Sequence, residues 1–489
     1  MPFDSLEFML FFTALAGLYF ATPQRMRWAL LLAASYAFYM AWQPAYALLL
    51  LASTAIDYTA GRAMGRLPHR KGRTKYLVLS LAGNLGLLFT FKYYAFFSGM
   101  VTGVLGWAGF APAFPHLDLL LPIGISFYTF QTLSYAIEVY RGRQPPEKHF
   151  GIFALYVSFF PQLVAGPIER PQNLLPQFRQ PHAFDYTRAV AGLRLILWGL
   201  FKKVVVADRL AVFVDAVYGQ PAACPGPVLL LATICFAYQI YCDFSGYSDI
   251  AIGVARVMGY RLSTNFDRPY HARSLPEFWR RWHISLSAWF RDYLYIPLGG
   301  NRARMGRWGL NVIAVFALCG LWHGANTTFL CWGLLHAGYL IVGRCTARPR
   351  AAWARILRLD RSPRLRDAWQ RCATFVLVLL AWVLFRAESM TQAAGILRGF
   401  FAGWAFCPAS PAWPALETLS TALCPGLLTL CLGNILVVEG VEFCQQAGQA
   451  PRLLALRPLL LRWAIYLLLV LSVLNLGSIE PVPFIYFQF

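Results

Sequence analysis

Charge is what this sequence has least of. Only 13% of its 489 residues are Asp, Glu, Lys or Arg, while 58% are hydrophobic; a soluble domain carries about 25% charged residues. A surface so poor in charge does not keep a chain of this size in water, so a soluble globular enzyme is excluded and an integral membrane protein is expected. Acidic residues are the scarcer sign, 22 against 43 Lys+Arg for a net charge of +21. Basic cytoplasmic loops produce that imbalance in a membrane protein, so no nucleic-acid partner is expected. None of the 11 cysteines forms a C-x-x-C pair and most sit in apolar runs, which argues against a disulfide framework or a zinc site and for small buried thiols. The chain has no G-x-x-x-x-G-K-[ST] and no G-x-S-x-G, so ATP-driven transport and serine-hydrolase chemistry find no support. Internal repeats and low-complexity tracts are absent as well. Asp4 and Glu7 stand where a signal peptide would have basic residues, so the first apolar run reads as a retained span.

What is present is a succession of apolar stretches, near 6–22, 28–42, 45–57, 76–91, 119–137, 190–213, 227–250, 308–322, 327–343, 372–386, 418–438 and 463–479. A straight span needs roughly 20 apolar residues; several of these are shorter and must tilt, extend or dip in without crossing. The Phe-rich stretch 151–166, ended by Pro167, reads as re-entrant. Orientation follows the Lys/Arg bias. Segment 58–75 is basic without an acid, 256–307 has ten Lys/Arg against three acids, and 344–371 has nine against two. These loops are placed inside and both termini outside, within one membrane domain spanning 1–489.

The loop 256–307 carries Glu277-Phe278-Trp279-Arg280-Arg281-Trp282-His283 and Trp289-Phe290-Arg291-Asp292-Tyr293. Aromatics interleaved with arginines suit helices lying in the headgroup layer. The arginines either anchor lipid or hold a phosphate-bearing cosubstrate, because guanidinium groups bind phosphate bidentately; composition does not separate the two. The stretch 308–343 has no charged residue between Arg307 and Arg344. With both ends basic it must enter the membrane and return, turning at His323-Gly324-Ala325-Asn326-Thr327-Thr328. Fifteen helical residues before that turn reach only ~22 Å, which leaves His323 within the membrane, where an ionisable side chain is functional by default. His336, with nothing polar beside it, reads instead as a histidine hydrogen-bonded to a neighbouring helix. The run from Tyr241 to Asp249 puts two carboxylates six residues apart at the inner end of a span, a spacing unsuited to one shared metal; it lines a cavity or forms a polar packing knot. Asp208 with Lys202 and Lys203 reads as an interfacial anchor. No Cys/His spacing marks a metal site.

Phe278-Trp279-Arg280-Arg281-Trp282-His283-Ile284-Ser285-Leu286-Ser287, Leu321-Trp322-His323-Gly324-Ala325 and Asp243-Phe244-Ser245-Gly246-Tyr247-Ser248-Asp249 resemble the membrane-bound O-acyltransferase (MBOAT) family. Pro161 to Ile168 and the C-terminal Phe484-Ile485-Tyr486-Phe487-Gln488-Phe489 resemble its bacterial branch, which acetylates alginate or peptidoglycan or transfers D-alanine to teichoic acids. The likeness covers nearly the whole chain. It implies an all-α polytopic bundle of about 11–12 spans plus re-entrant or interfacial helices, with a central funnel and a thin centre. It also implies catalysis by His323, with His283 forty positions before it as a second polar residue. Taken with the basic loop 256–307, this makes cytosolic acetyl-CoA the expected donor, its phosphates docked on Arg280, Arg281 and Arg291, with no permanently bound cofactor and no metal. Asp243, Ser245 and Tyr247 would line the acceptor path. A periplasmic acetyltransferase would be the partner and the bacterial inner membrane the location. A passive exporter gated by His323 would require paired inverted repeats or broken helices, which the sequence lacks. A non-catalytic scaffold would need neither the intramembrane histidine nor the basic aromatic loop.

Overall fold

The computed structural model describes residues 1–110, 114–115, 117, 119–356, 361–404, 426–446, 459–477 and 483–485, and every regular element among them is helical. The chain forms two compact units, Met1–Ile196 with Ser248–Thr264, and Leu197–Tyr247 with Asn265–Phe489.

The first unit contains α1 (Leu6–Ala21), α2 (Gln24–Met40), α3 (Tyr46–Gly65), α4 (Arg70–Leu88), α5 (Tyr94–Trp107), α6 (Ile125–Arg141), α7 (Phe150–Ser158), α8 (Phe160–Leu163), α9 (Pro171–Gln177) and most of α10 (Tyr186–Leu200). The Ser5 hydroxyl caps α1 by accepting from the Phe8 N–H at 3.1 Å. Pro23 ends the helix, because proline disfavours helical backbone at the residue before it. A π-turn at Phe89–Tyr93 joins α4 to α5. The apolar run expected from 119 becomes helical only at Ile125. Gly124 precedes it at φ 75°, where a Cβ would stand 2.7 Å from the Leu163 carbonyl oxygen. The stretch around 151–166 folds as α7 and α8, nine and four residues long. At 1.5 Å per residue neither can cross, the form expected of a re-entrant element.

The second unit contains α11 (Asp208–Gly219), α12 (Gly226–Met258) as far as Tyr247, α13 (Leu275–Arg281), α14 (Ile284–Phe290), α15 (Met305–His323), α16 (Thr327–Cys345), α17 (Ala347–Ile356), α18 (Pro363–Arg386), α19 (Met390–Gly399), α20 (Leu427–Gln446) and α21 (Leu459–Leu476). Among the described residues, six helical runs are long and apolar enough to cross a bilayer: Arg70–Trp107, α12, α15, α16, α18 and α21. The other apolar stretches lie in helices outside that set, among them α1 at 16 residues and α3 and α20 at 20 each. The start of the expected span 418–438, Cys407, Cys424 and residues 486–489 of the C-terminal motif lie outside the described residues. Burial ranks the helices clearly. α12 is the most enclosed of the six and α21 is uncovered, as befits a helix facing lipid. Of the cysteines, Cys235, Cys242, Cys319 and Cys431 are buried, whereas Cys345 and Cys372 are exposed. The expectation of buried thiols therefore holds for only part of the set.

Candidate active site

His323 is the last residue of α15. Gly324 follows in extended conformation and ends the helix, and Asn326 starts α16 by accepting from the Thr328 N–H at 3.1 Å. The same Asn326 donates to the Glu388 carbonyl at 3.1 Å, which fixes the turn from both sides. The two helices approach as closely as glycine allows. A Cβ on Gly320 would lie 2.2 Å from the Phe329 carbonyl oxygen, and one on Gly333 2.1 Å from that of Phe316. Small residues at such crossings let backbones meet in a membrane. The hairpin inferred from the uncharged stretch is therefore present, with one adjustment. α15 starts at Met305 and has 19 residues, so it extends ~28 Å and carries His323 deeper than a fifteen-residue helix would. Arg307 lies inside the first turn, where its long stem lets the charge reach the interface.

The His323 ring is buried, 3% exposed, with centroids 4.9 Å from Trp322, 5.1 Å from Trp332 and 5.3 Å from Phe385. Trp322 also faces His283 at 5.9 Å, so one indole connects the two imidazoles. His283 is fully enclosed and meets Phe244 edge-on at 4.7 Å. It joins α13 to α14 at φ 43°, ψ 57°, a left-handed conformation that is uncommon for any residue but glycine. Asn265 secures that junction, its carbonyl accepting from the Ile284 N–H at 2.9 Å and its side chain from the Ser285 hydroxyl at 2.6 Å. Such strain persists only where the surroundings over-determine it, and it gathers at functional sites. Burial pushes the His283 ring down to about 3, which favours the neutral imidazole.

The Asp243 run occupies the interior of α12, which continues to Met258, instead of the inner end of a span. Lys203 sits between Asp208 at 2.7 Å and Asp243 at 2.9 Å, and Asp243 also accepts from the Ile485 N–H at 2.7 Å. Lys202 donates to Ser245 at 2.9 Å. All five side chains are buried. The lysines are thus not the interfacial anchor expected from sequence: both are enclosed in the protein, Lys203 paired with two carboxylates and Lys202 hydrogen-bonded to a hydroxyl. Tyr247 packs on Phe484 with centroids 4.9 Å apart. His336 also departs from expectation. It is enclosed by Trp279, Trp332, Phe278, Phe316 and Tyr339, and among the described residues neither ring nitrogen has a hydrogen-bond partner. It is a packing residue, not a hydrogen-bonding one.

An open cavity of about 910 Å³ lies in the second unit, lined by Arg273, Arg280, Arg291, Arg344 and Arg350 together with Trp279, Tyr295, Trp308, Phe316 and Cys319. α13 is started by Ser274, whose hydroxyl accepts from the Glu277 N–H, while the Glu277 carboxylate accepts from the Arg273 N–H at 2.9 Å. This cap aims Arg280 at the cavity. Arg281 is not part of the lining; it bonds Glu277 at 2.7 Å. Arg291 lines the cavity and pairs with Asp292 at 2.8 Å. Arg344 stacks over Trp308 at 4.2 Å. Arg344 and Arg350 were not among the predicted ligands, although the basic segment 344–371 carried their signal. Phe278, Trp282, Trp289 and Phe290 are buried in protein, so the aromatic faces of this loop are not turned to lipid as the interfacial reading supposed. Cys319 on the cavity wall is one helical turn before His323.

A histidine near the far end of an uncharged hairpin, a strained second histidine and a basic cavity one turn away match the motifs quoted above. The family model for membrane-bound O-acyltransferases matches residues 148–385. The chain is also 36% identical over 522 residues to the probable alginate O-acetylase AlgI of Azotobacter vinelandii, with both sequences covered in full.

The chain belongs to the membrane-bound O-acyltransferase family.

It is an O-acyltransferase and a membrane protein. A second relative is the peptidoglycan O-acetyltransferase of Helicobacter pylori, 36% identical over 399 residues, covering 76% of this chain and 72% of the relative. A more distant one is the teichoic acid D-alanyltransferase of Bacillus subtilis, 27% identical over 237 residues and covering 46% of this chain and 60% of that protein.

Proposed function

We propose that this O-acyltransferase takes acetyl from cytosolic acetyl-CoA and passes it across the bacterial inner membrane for O-acetylation of an exported, alginate-like polysaccharide. The observation that carries this reading is the placement of an arginine-lined cavity one helical turn from an intramembrane histidine. The cavity is large enough for a cosubstrate, and its arginines suit phosphate. Arg280 projects from the short capped α13, Arg291 from the end of α14, Arg344 from the last turn of α16 and Arg350 from α17. The thioester would then extend past Cys319 toward His323.

A neutral imidazole in a desolvated site is a suitable general base near neutral pH. In the proposed step, a ring nitrogen of His323 accepts the proton of the acceptor hydroxyl as its oxygen bonds to the acetyl carbon. The C–S bond then breaks, and the thiolate leaves with that proton. His283, held rigid and neutral, orients the thioester or donates to the developing oxyanion. A periplasmic acetyltransferase would take the acetyl onward to the polymer. The alginate-like acceptor rests on the AlgI relatives; O-acetylation of peptidoglycan or cellulose, or D-alanyl transfer to teichoic acid, is the competing outcome.

Two measurements test the reading. The purified protein in lipid nanodiscs should hydrolyse or transfer acetyl from acetyl-CoA in a His323-dependent way, and D-alanyl-loaded carrier protein should not replace it. A single cysteine at position 302, in a background freed of reactive thiols, should label only when the inner face is exposed. Labelling from outside would put the basic loop away from cytosolic acetyl-CoA and overturn the donor side of the mechanism.

A further inference from the structure

Apart from the histidine pair and the arginine cavity, the second unit gathers a third group of chemistry-bearing side chains. Glu439 and Glu442 stand three residues apart on α20, on one face, and both turn toward His271, which lies in the short helical turn Pro269–His271. His271 Nε2 is 3.0 Å from Glu439 Oε2 and 3.7 Å from Glu442 Oε2. One donor atom from each residue falls within 4.8 Å of the others.

We propose that His271, Glu439 and Glu442 form a binding site for a first-row divalent cation such as zinc or manganese. Three features support it. Imidazole with two carboxylates is a donor set such ions accept. At metal–ligand distances of about 2.0–2.2 Å, ligand atoms lie roughly 3–3.5 Å apart, close to the two separations above. Finally, each glutamate is already oriented: Tyr238 donates to Glu439 Oε1 at 2.8 Å, and Tyr241 donates to Glu442 Oε1. That leaves Oε2 of both facing His271, the outer-shell support that metal-binding carboxylates require.

The alternative is a protonated His271 shared between two carboxylates. It accounts for Glu439, which receives the Nε2 hydrogen bond. It leaves Glu442 Oε2, in a residue 5% exposed, without a hydrogen-bond partner among the described residues. A cation meets all three donor atoms at once. Sequence reading could not find the site, because His271 precedes Glu439 by 168 positions and no local spacing links them. The site would tie α20 to the turn that leads into α13, the helix carrying Arg280 and preceding His283.

The full-length protein, purified with a tag free of histidine and without chelator, should contain about one zinc or manganese per chain by elemental analysis. Chelator treatment should remove it and lower the melting temperature, and zinc or manganese should restore both. Glu442→Gln and Glu439→Gln, each keeping the tyrosine hydrogen bond in reach, should lose the bound equivalent and the metal-dependent part of the melting temperature. Glu388→Gln, on an unrelated loop, should lose neither. A wild-type protein with less than a tenth of an equivalent, whose melting temperature ignores added zinc and manganese, would overturn the proposal and leave the protonated-histidine cluster. Because the readouts are metal content and melting temperature, the result stands apart from acyl-transfer activity.

Discussion

In the first unit Asp57 is completely enclosed, and both its carboxylate oxygens accept hydrogen bonds, one from Ser80 and the other from Asn84 at 2.9 Å; Asn84 in turn accepts from Ser53 at 2.6 Å. In the second unit His336 is also enclosed, and among the described residues neither ring nitrogen is paired. Glu147 in the first unit holds Arg179 through two contacts, at 2.7 and 2.5 Å, whereas Arg280 in the second lines an open cavity. Around Asp57 and Glu147 the buried polar groups of the first unit are satisfied by neighbouring side chains, as desolvated dipoles require. The second unit instead stacks imidazoles against indoles and phenyl rings and directs guanidinium groups into open space. The Asp57 cluster is built as a scaffold; the second unit also leaves guanidinium groups facing an open cavity.

The largest expected effect is on the reactive side. His323→Ala should reduce acyl transfer by ~10³-fold, within the 10²–10⁴ that a positioned general base supplies, with membrane levels unchanged. Normal polymer acetylation in a well-expressed variant would remove His323 from catalysis. On the scaffold side, Asp57→Ala strands Ser80 and Asn84, and it should cost on the order of 2–3 kcal/mol of stability. His336→Phe replaces one ring by another and should cost less than about 1.5 kcal/mol. Melting curves of the two variants side by side test the contrast, and an equal loss in both would dissolve it.

His283→Ala should lower kcat roughly 10- to 100-fold, the scale of losing an oriented hydrogen-bond donor, while leaving the KM for acetyl-CoA near the native value; aggregation instead would mark it as structural. Arg280→Ala should raise that KM several-fold with little change in kcat, because phosphate contacts remote from the thioester are made equally in ground and transition states. Arg281→Ala should leave KM unchanged, since Glu277 already occupies its guanidinium. The smallest effect concerns Glu147. Burial pushes its carboxyl up, but Arg179 and the backbone N–H groups of His149 and Lys148 outweigh that and hold it below the usual carboxylate range. Its stabilising contribution is therefore present above the unfolded-state value and lost as pH falls through the lower folded one. A melting-temperature series below pH 5 should show a shallower acid limb in Glu147→Gln than in the native protein.

Much of this molecule is determined by its sequence alone. The scarcity of charge and the length of the apolar runs dictate a helical membrane protein, because only helices or closed barrels satisfy their own backbone in lipid. The uncharged stretch between two arginines, broken by His-Gly-Ala-Asn, dictates the hairpin and places His323 near its turn. Glycines at 320 and 333 were equally visible, but their role was not, since a close crossing is a property of two helices. The same limit governs the rest. Lys203 with Asp243 and His271 with Glu439 are pairs between distant segments, and a charge reads as surface until its partner is known. Arg280 and Arg281 are neighbours of the same type, yet one faces the cavity and the other its own helix's glutamate, because successive helical residues point about 100° apart. Local chemistry and hydrophobic length are written in the chain; which buried group finds a partner, and which is left facing a cavity, is decided only when the helices pack.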